Sequence, residues 1–160
     1  MITELVSNST EDTMEIARSL GKALAPGDVI ALTGDLGAGK TCFCKGIGES
    51  LRIPAARVVS PTFTIATEYE GVLPLNHIDV YRLDTAMEAV EVGVDEILAA
   101  TKGICVVEWA EKVEELLPTD SIRVTFVICC DDRRKIVVST PEQDRFAVFH
   151  ELTTRFLARG

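Results

Sequence analysis

Eight consecutive residues, Gly34-Asp35-Leu36-Gly37-Ala38-Gly39-Lys40-Thr41, constrain this chain more than anything else in it. They satisfy the pattern G-x-x-x-x-G-K-[ST] in full, which chance would supply in only about 0.4% of comparable chains. The run before them, Asp28 to Thr33, has the short apolar character of a buried parallel strand. The run after them predicts a helix from Lys40 to about Leu51. Strand, glycine turn and helix follow in the order a phosphate cradle needs. The glycines let successive N–H groups converge on phosphate oxygens, and the helix N-terminus adds positive potential. In such a cradle Lys40 reaches the β and γ phosphates, and the Thr41 hydroxyl is a ligand for Mg²⁺. Asp35, Leu36, Gly37, Ala38, Gly39, Lys40, Thr41 and Cys42 are therefore candidate nucleotide contacts.

Around this loop the pattern is that of an α/β protein. Ser9-Thr10-Glu11-Asp12 predicts a helix start, with Met14, Ala17, Leu20 and Leu24 at helical spacing and Pro26-Gly27 as its stop. Thr62 to Tyr69 alternates with a β period, and Glu70-Gly71 turns it into a second strand from Leu73 to Val80. Glu88 to Thr101 is weakly helical and broken at Gly93. Ile104 to Val107 is another buried strand, followed by a helical Glu111–Leu117 that Pro118 stops. Ile122–Cys130 and Lys135–Thr140 form a hairpin around Asp131-Asp132-Arg133-Arg134. Glu142 to Ala158 predicts an amphipathic helix carrying Phe146, Phe149, Leu152 and Phe156. The expected architecture is a P-loop NTPase-like, mostly parallel sheet flanked by helices, with antiparallel hairpin additions. With 160 residues, the whole chain (1–160) is expected to form a single domain.

Charge narrows the partners. The chain carries 16 basic and 25 acidic residues, a net −9, where a stand-alone nucleic-acid binder shows the opposite balance. Ten acids face two lysines between Asp84 and Asp120, a stretch that reads as solvated helix faces or as a docking surface. Any work on nucleic acid is expected to pass through a partner. No apolar run reaches the ~18 residues a membrane span needs, and the N-terminus lacks the basic start and apolar stretch of a signal peptide. The chain therefore reads as cytoplasmic. Its five cysteines show no C-x-x-C pair and no metal-ligand spacing with either histidine. Cys42 stands out at a helix start, where the dipole lowers a thiol's pKa.

A P-loop enzyme also needs an acid near its metal, at the carboxyl end of a buried strand. Glu108 follows Ile104–Val107, and Asp79 follows Asn76-His77-Ile78. Strand periodicity places His77, Asp79 and Tyr81 on one side and Ile78 and Val80 on the other. His77 reads equally as a satisfied sheet histidine, and Tyr81 as packing. Arg82 pairs with Asp79 or Asp84, or supplies positive charge to a γ-phosphate.

The segments GDLGAGKT (Gly34–Thr41), SPTFT (Ser60–Thr64), HIDVYRL (His77–Leu83) and VEW (Val107–Trp109), in that order and spacing, resemble the TsaE (YjeE) family. These are small bacterial P-loop ATPases required for threonylcarbamoyl modification of tRNA, and the resemblance covers about residues 8 to 120. It implies ATP hydrolysis in a complex with the TsaB and TsaD proteins, where TsaD transfers the group to adenosine 37 and tRNA is met only through the complex. It further implies that Thr41 and Glu108 flank Mg²⁺, that Asp79 is needed for turnover beside Lys40, and that Trp109 lies near the nucleotide. Ser60-Pro61-Thr62 looks like the family's switch-like loop, which makes Thr62 a candidate contact. The family's N-terminal segment approaches the adenine, so Thr10 and Thr13 are contacts too, unless they only cap the first helix. Cys42 departs from the family pattern, which commonly has a second threonine there.

Three other functions compete. A small-molecule kinase needs an acceptor site and an arginine-bearing lid, and Arg133-Arg134 is the only candidate for one. For a GTP switch, Asn76-His77-Ile78-Asp79 is superficially similar to the guanine-reading N-K-x-D, but the lysine is absent. A nucleotide-bound scaffold without turnover is disfavoured by the two carboxylates.

Overall fold

The computed structural model describes residues 1–61 and 64–158. Seven strands among them form one sheet, in the order β1 (Ile2–Ser7), β7 (Arg133–Ser139), β6 (Ile122–Cys130), β2 (Val29–Thr33), β5 (Ile104–Glu108), β4 (Leu75–Asp79) and β3 (Ala66–Tyr69). The four central strands β6, β2, β5 and β4 run parallel. The flanking pairs β3–β4, β6–β7 and β1–β7 are antiparallel. This is the expected α/β class with its hairpin additions. Parallel strands are covered on both faces, and β5 is buried along its whole length.

Two separate cores cover those faces. One packs α1 (Thr10–Gly21), α2 (Lys40–Ser50) and α5 (Ala147–Leu152) through Ile16, Leu20, Phe43, Ile47, Phe146 and Phe149. The other gathers Val29, Ile78, Val80, Val94, Val107 and Val113 under α3 (Ala86–Glu91), α4 (Val94–Ala100) and the 3₁₀ segment Ala110–Leu116. Gly93, at φ 88°, makes the break between α3 and α4. The start of α1 is a capping arrangement: Ser9 Oγ accepts from the Asp12 amide at 3.0 Å, and the Asp12 carboxylate accepts from the Asn8 amide at 2.9 Å. Ser9, not Thr10 or Thr13, is the cap. No helix among the described residues is long and apolar enough to cross a membrane.

The two ends of the chain differ from the sequence reading. Residues 2–7 form an edge strand that the sequence did not announce, because its inward positions are Thr3, Leu5 and Ser7. Pairing with β7 over Ile2–Ser139 to Ser7–Arg134 overrides that polar alternation. The tail predicted as one helix over 142–158 is helical only at Ala147–Leu152, followed by a 3₁₀ turn at Thr154–Phe156. The turn lets Leu157 bridge to Leu5 and the Ala158 amide donate to Glu4 O at 3.0 Å. A continued helix would carry those residues away from β1. Phe146, Phe149 and Phe156 are buried as expected, but Leu152 is exposed.

The helices α1 and α2 cross at very short range. A Cβ added at Gly46 would lie 2.6 Å from both the Ala17 Cβ and the Met14 carbonyl, so the helices must part to admit it. Gly46→Ala is expected to cost about 1–3 kcal/mol by overpacking, read as a lower urea midpoint. An unchanged midpoint would contradict this packing.

Candidate active site

Parallel strands deliver their carboxyl ends to one edge of the sheet, and a ligand crevice forms outside that edge. Here β2 runs into the glycine loop, β4 ends at Asp79 and β5 ends at Glu108. Asp79 and Glu108 are register partners across β4 and β5. A cleft of about 510 Å³ opens there, lined among others by Gly39, Lys40, Thr41, Asp79, Arg82 and Trp109.

The loop has the backbone its glycines permit. Gly37 and Gly39 sit at φ 77° and 111°, where an L side chain is strained, and Gly39 leads directly into α2. Leu36 is exposed, and Ala38 is buried. Lys40 differs from the exposed side chain a bare cradle suggests. It is buried, with its ammonium donating to the carbonyls of Gly34 and, at 2.8 Å, Asp35. The same Nζ lies 4.0 Å from the centre of the Trp109 ring, a cation–π contact. Burial lowers the Lys40 pKa, against the pull of Glu108, Glu111, Asp79 and Asp35.

Behind Lys40, the Thr41 hydroxyl donates to Glu108, 2.9 Å from Oε1 and 3.2 Å from Oε2. Glu108 is 2% exposed. His77, wholly buried, hydrogen-bonds the same Oε2 from β4. Burial opposes a charge on His77, but Cys44 and Glu108 beside it prevail and push its pKa up to about 11. Asp79 is held separately: the Ser60 hydroxyl and the Tyr81 amide each donate to it at 2.9 Å.

Trp109 takes the left-handed backbone conformation at φ 61°, a strained state for a large side chain. Its ring packs on Tyr81 at 4.9 Å. Lys112 donates to the Tyr81 carbonyl at 2.6 Å and the Leu83 carbonyl at 3.2 Å, which ties the Arg82 loop to the segment after Trp109. Lys112 was missed by sequence reasoning, since a lysine in an acidic stretch gives no sign of a contact 31 residues away.

A smaller recess of about 90 Å³ adjoins the cleft, sharing Thr10, Gly37 and Cys42 with it and adding Thr13 and Arg134. Thr13 is buried and shares a 2.7 Å hydrogen bond with Ser7. Arg134 donates to the Gly37 carbonyl at 3.4 Å, so the start of β7 meets the loop. Burial raises the Cys42 pKa, against the pull of Lys45 and Arg18, the opposite direction to the one expected from a helix start. Cys42 Sγ lies 3.5 Å from the Thr10 carbonyl. Thr62 lies outside the described residues.

With this geometry in place, known proteins give a consistent answer. The family model described as "Threonylcarbamoyl adenosine biosynthesis protein TsaE" matches residues 7–136. The chain belongs to the TsaE family. A Bacillus subtilis (strain 168) protein named tRNA threonylcarbamoyladenosine biosynthesis protein TsaE is 48% identical over 128 residues, 79% of this chain and 78% of that one. A Treponema pallidum (strain Nichols) protein of the same name is 40% identical over 134 residues, 84% of this chain and 98% of that one. A crystal structure of Bacillus subtilis YdiB superposes with a TM-score of 0.74 at 38% identity, covering 97% of this chain and 96% of that one. The matched span of the family model takes in the loop, both acids, Trp109 and Arg134 at the start of β7.

In this TsaE-family chain, Lys40→Ala is expected to abolish ADP binding in calorimetry. The unfolding stability should fall by only ~1 kcal/mol, because the two carbonyls that Lys40 served regain water. Equal ADP affinity in the two proteins would overturn the phosphate-cradle assignment.

Proposed function

We propose that the chain is a Mg²⁺-dependent ATPase of tRNA threonylcarbamoyladenosine biosynthesis, acting in the cytoplasm with the TsaB and TsaD proteins on adenosine 37. The observation that carries the reading is the Thr41 hydroxyl resting on the buried Glu108 carboxylate, at the end of a full G-x-x-x-x-G-K-T loop. The names of the relatives supply the pathway.

The donor set fits the metal. A hydroxyl and a carboxylate are hard oxygen ligands, and Mg²⁺ is usually held by one or two such groups, with phosphates and water completing its shell. Thr41 and Glu108 would hold it. Bound there, Mg²⁺ would draw charge from the β and γ phosphates.

The remaining roles follow from placement. The loop amides receive the phosphates, and Lys40 leaves the Gly34 and Asp35 carbonyls to neutralise the β and γ oxygens. Thr10 and Thr13 contact the adenine side of the nucleotide, Cys42 contacts it from the start of α2, and Trp109 borders the phosphates through Lys40. Asp79, with each oxygen already bonded from Ser60 or Tyr81, orients the attacking water and takes its proton. The water oxygen bonds to the γ phosphorus as the bond to ADP breaks, and the proton passes on to the released phosphate. Fast hydrolysis also needs a cation on the γ-phosphate. Arg82 lines the cleft and is the internal candidate. A net charge of −9 disfavours direct tRNA binding, so tRNA is reached through TsaB and TsaD.

Asp79→Asn keeps shape and should lower ATP turnover by ~10²-fold or more, as removal of a general base does, with ADP affinity nearly unchanged. Wild-type turnover should rise when TsaB and TsaD are added. Wild-type turnover in Asp79→Asn, or a rate indifferent to both partners, would count against the proposal.

A further inference from the structure

His77 is the buried group that the mechanism above leaves unused. It is fully enclosed on β4, two residues before Asp79 and on the same face of the strand. Its register partner on β5 is Val106, so Glu108 is its diagonal neighbour, within reach of long side chains on one face of a sheet. A carboxylate can only accept, so the bond to Glu108 Oε2 is donated by His77 Nε2. The two Glu108 oxygens therefore have different surroundings. Oε2 is shared by His77 and, at 3.2 Å, Thr41, whereas Oε1 meets Thr41 at 2.9 Å. Cys44, one helical turn after Lys40 on the buried side of α2, lies behind the ring, and His77 Nδ1 has no hydrogen-bond partner among the described residues, so the bond to Glu108 is the one that sets the ring.

We propose that His77 is a positioning residue which, by bonding Glu108 Oε2, locks the carboxylate so that Oε1 stays turned to Thr41 and available to a divalent cation. This rests on the reading of Thr41 and Glu108 as the Mg²⁺ ligands and adds the group that orients one of them. Without the imidazole, the Glu108 side chain loses the bond at Oε2 and gains rotational freedom. The loss falls on metal affinity before it falls on nucleotide affinity, because the loop amides and Lys40 are untouched. Removal of such an orienting partner typically costs 10–100-fold in metal affinity.

The test uses the full chain with ADP, measuring affinity by calorimetry in excess Mg²⁺ and in EDTA, and Mg²⁺ affinity by titrating the metal into the ADP complex. His77→Leu removes the donor, and His77→Gln returns an N–H near the Nε2 position. Thermal melts in EDTA establish that each variant is folded. Should His77→Leu not fold, His77→Asn takes its place, because its shorter amide cannot reach Glu108. The expected result is Mg²⁺ binding weakened about 10–100-fold in His77→Leu, ADP affinity in EDTA within about twofold of wild type, and recovery of most of the Mg²⁺ affinity in His77→Gln. Wild-type Mg²⁺ affinity in folded His77→Leu or His77→Asn overturns the positioning role. A folded His77→Gln as impaired as His77→Leu does so as well, since shape alone would then explain the loss. If ADP binding by the wild type is itself indifferent to Mg²⁺, the metal-site reading fails first, and the two failures are told apart by that arm.

Discussion

The buried carboxylate of Glu108 is the constraint around which the rest of this site is arranged. A charge that is 2% exposed is costly unless it is bonded, and Glu108 is bonded from two elements distant in sequence, Thr41 at the start of α2 and His77 on β4. Those bonds require β2, β5 and β4 to be adjacent and parallel, so that loop, acid and histidine reach the same edge. The strand order supplies that adjacency. The polar edge then sits on an apolar frame, with β5 buried on both faces between two cores. A buried ion pair is weak evidence for stability, and its presence here fits the metal-holding role proposed for Glu108.

The cations are arranged with the same care as the acids. Lys40 rests on two carbonyls and an indole face, and Lys112 fastens the loop that carries Arg82. The strained backbone at Trp109 is what turns its ring toward Lys40 and Tyr81 directly after the acid. Strain of this kind persists only where the surroundings over-determine it, and here the fully buried β5 enters the residue from one side and Lys112 secures the neighbouring loop from the other. The result is a site in which Lys40, Thr41, Asp79 and Glu108 each already have a partner.

Much of this was legible in the sequence, for local reasons. The glycine loop, the strands β2 and β5 and the break at Gly93 are each specified by a handful of neighbouring residues, Glu108 stands out as an acid closing an apolar run, and Asp79 as an acid at the end of an alternating strand. What was not legible depends on contacts made across the chain. The strand Ile2–Ser7 buries Thr3 and Ser7, so its pattern conceals it until β7 is beside it. The tail shortens because Leu157 has a partner on that same strand. The burial of Lys40 follows from a tryptophan 69 positions later that no motif connects to it. At Cys42 a helix start suggests a low pKa, but burial of the thiol, which raises it, is visible only in the fold.

In the proposed function, phosphates that enter the loop take Lys40 from its seat on the Gly34 and Asp35 carbonyls and the Trp109 ring. Trp109 is the single tryptophan of the chain, and an ammonium 4.0 Å from its ring centre is a local reporter. Titration of ADP with Mg²⁺ should change the intrinsic fluorescence of the protein, saturating in step with binding measured by calorimetry. A flat fluorescence trace at saturating, calorimetrically verified ADP would place the nucleotide away from Lys40 and Trp109 and contradict the account.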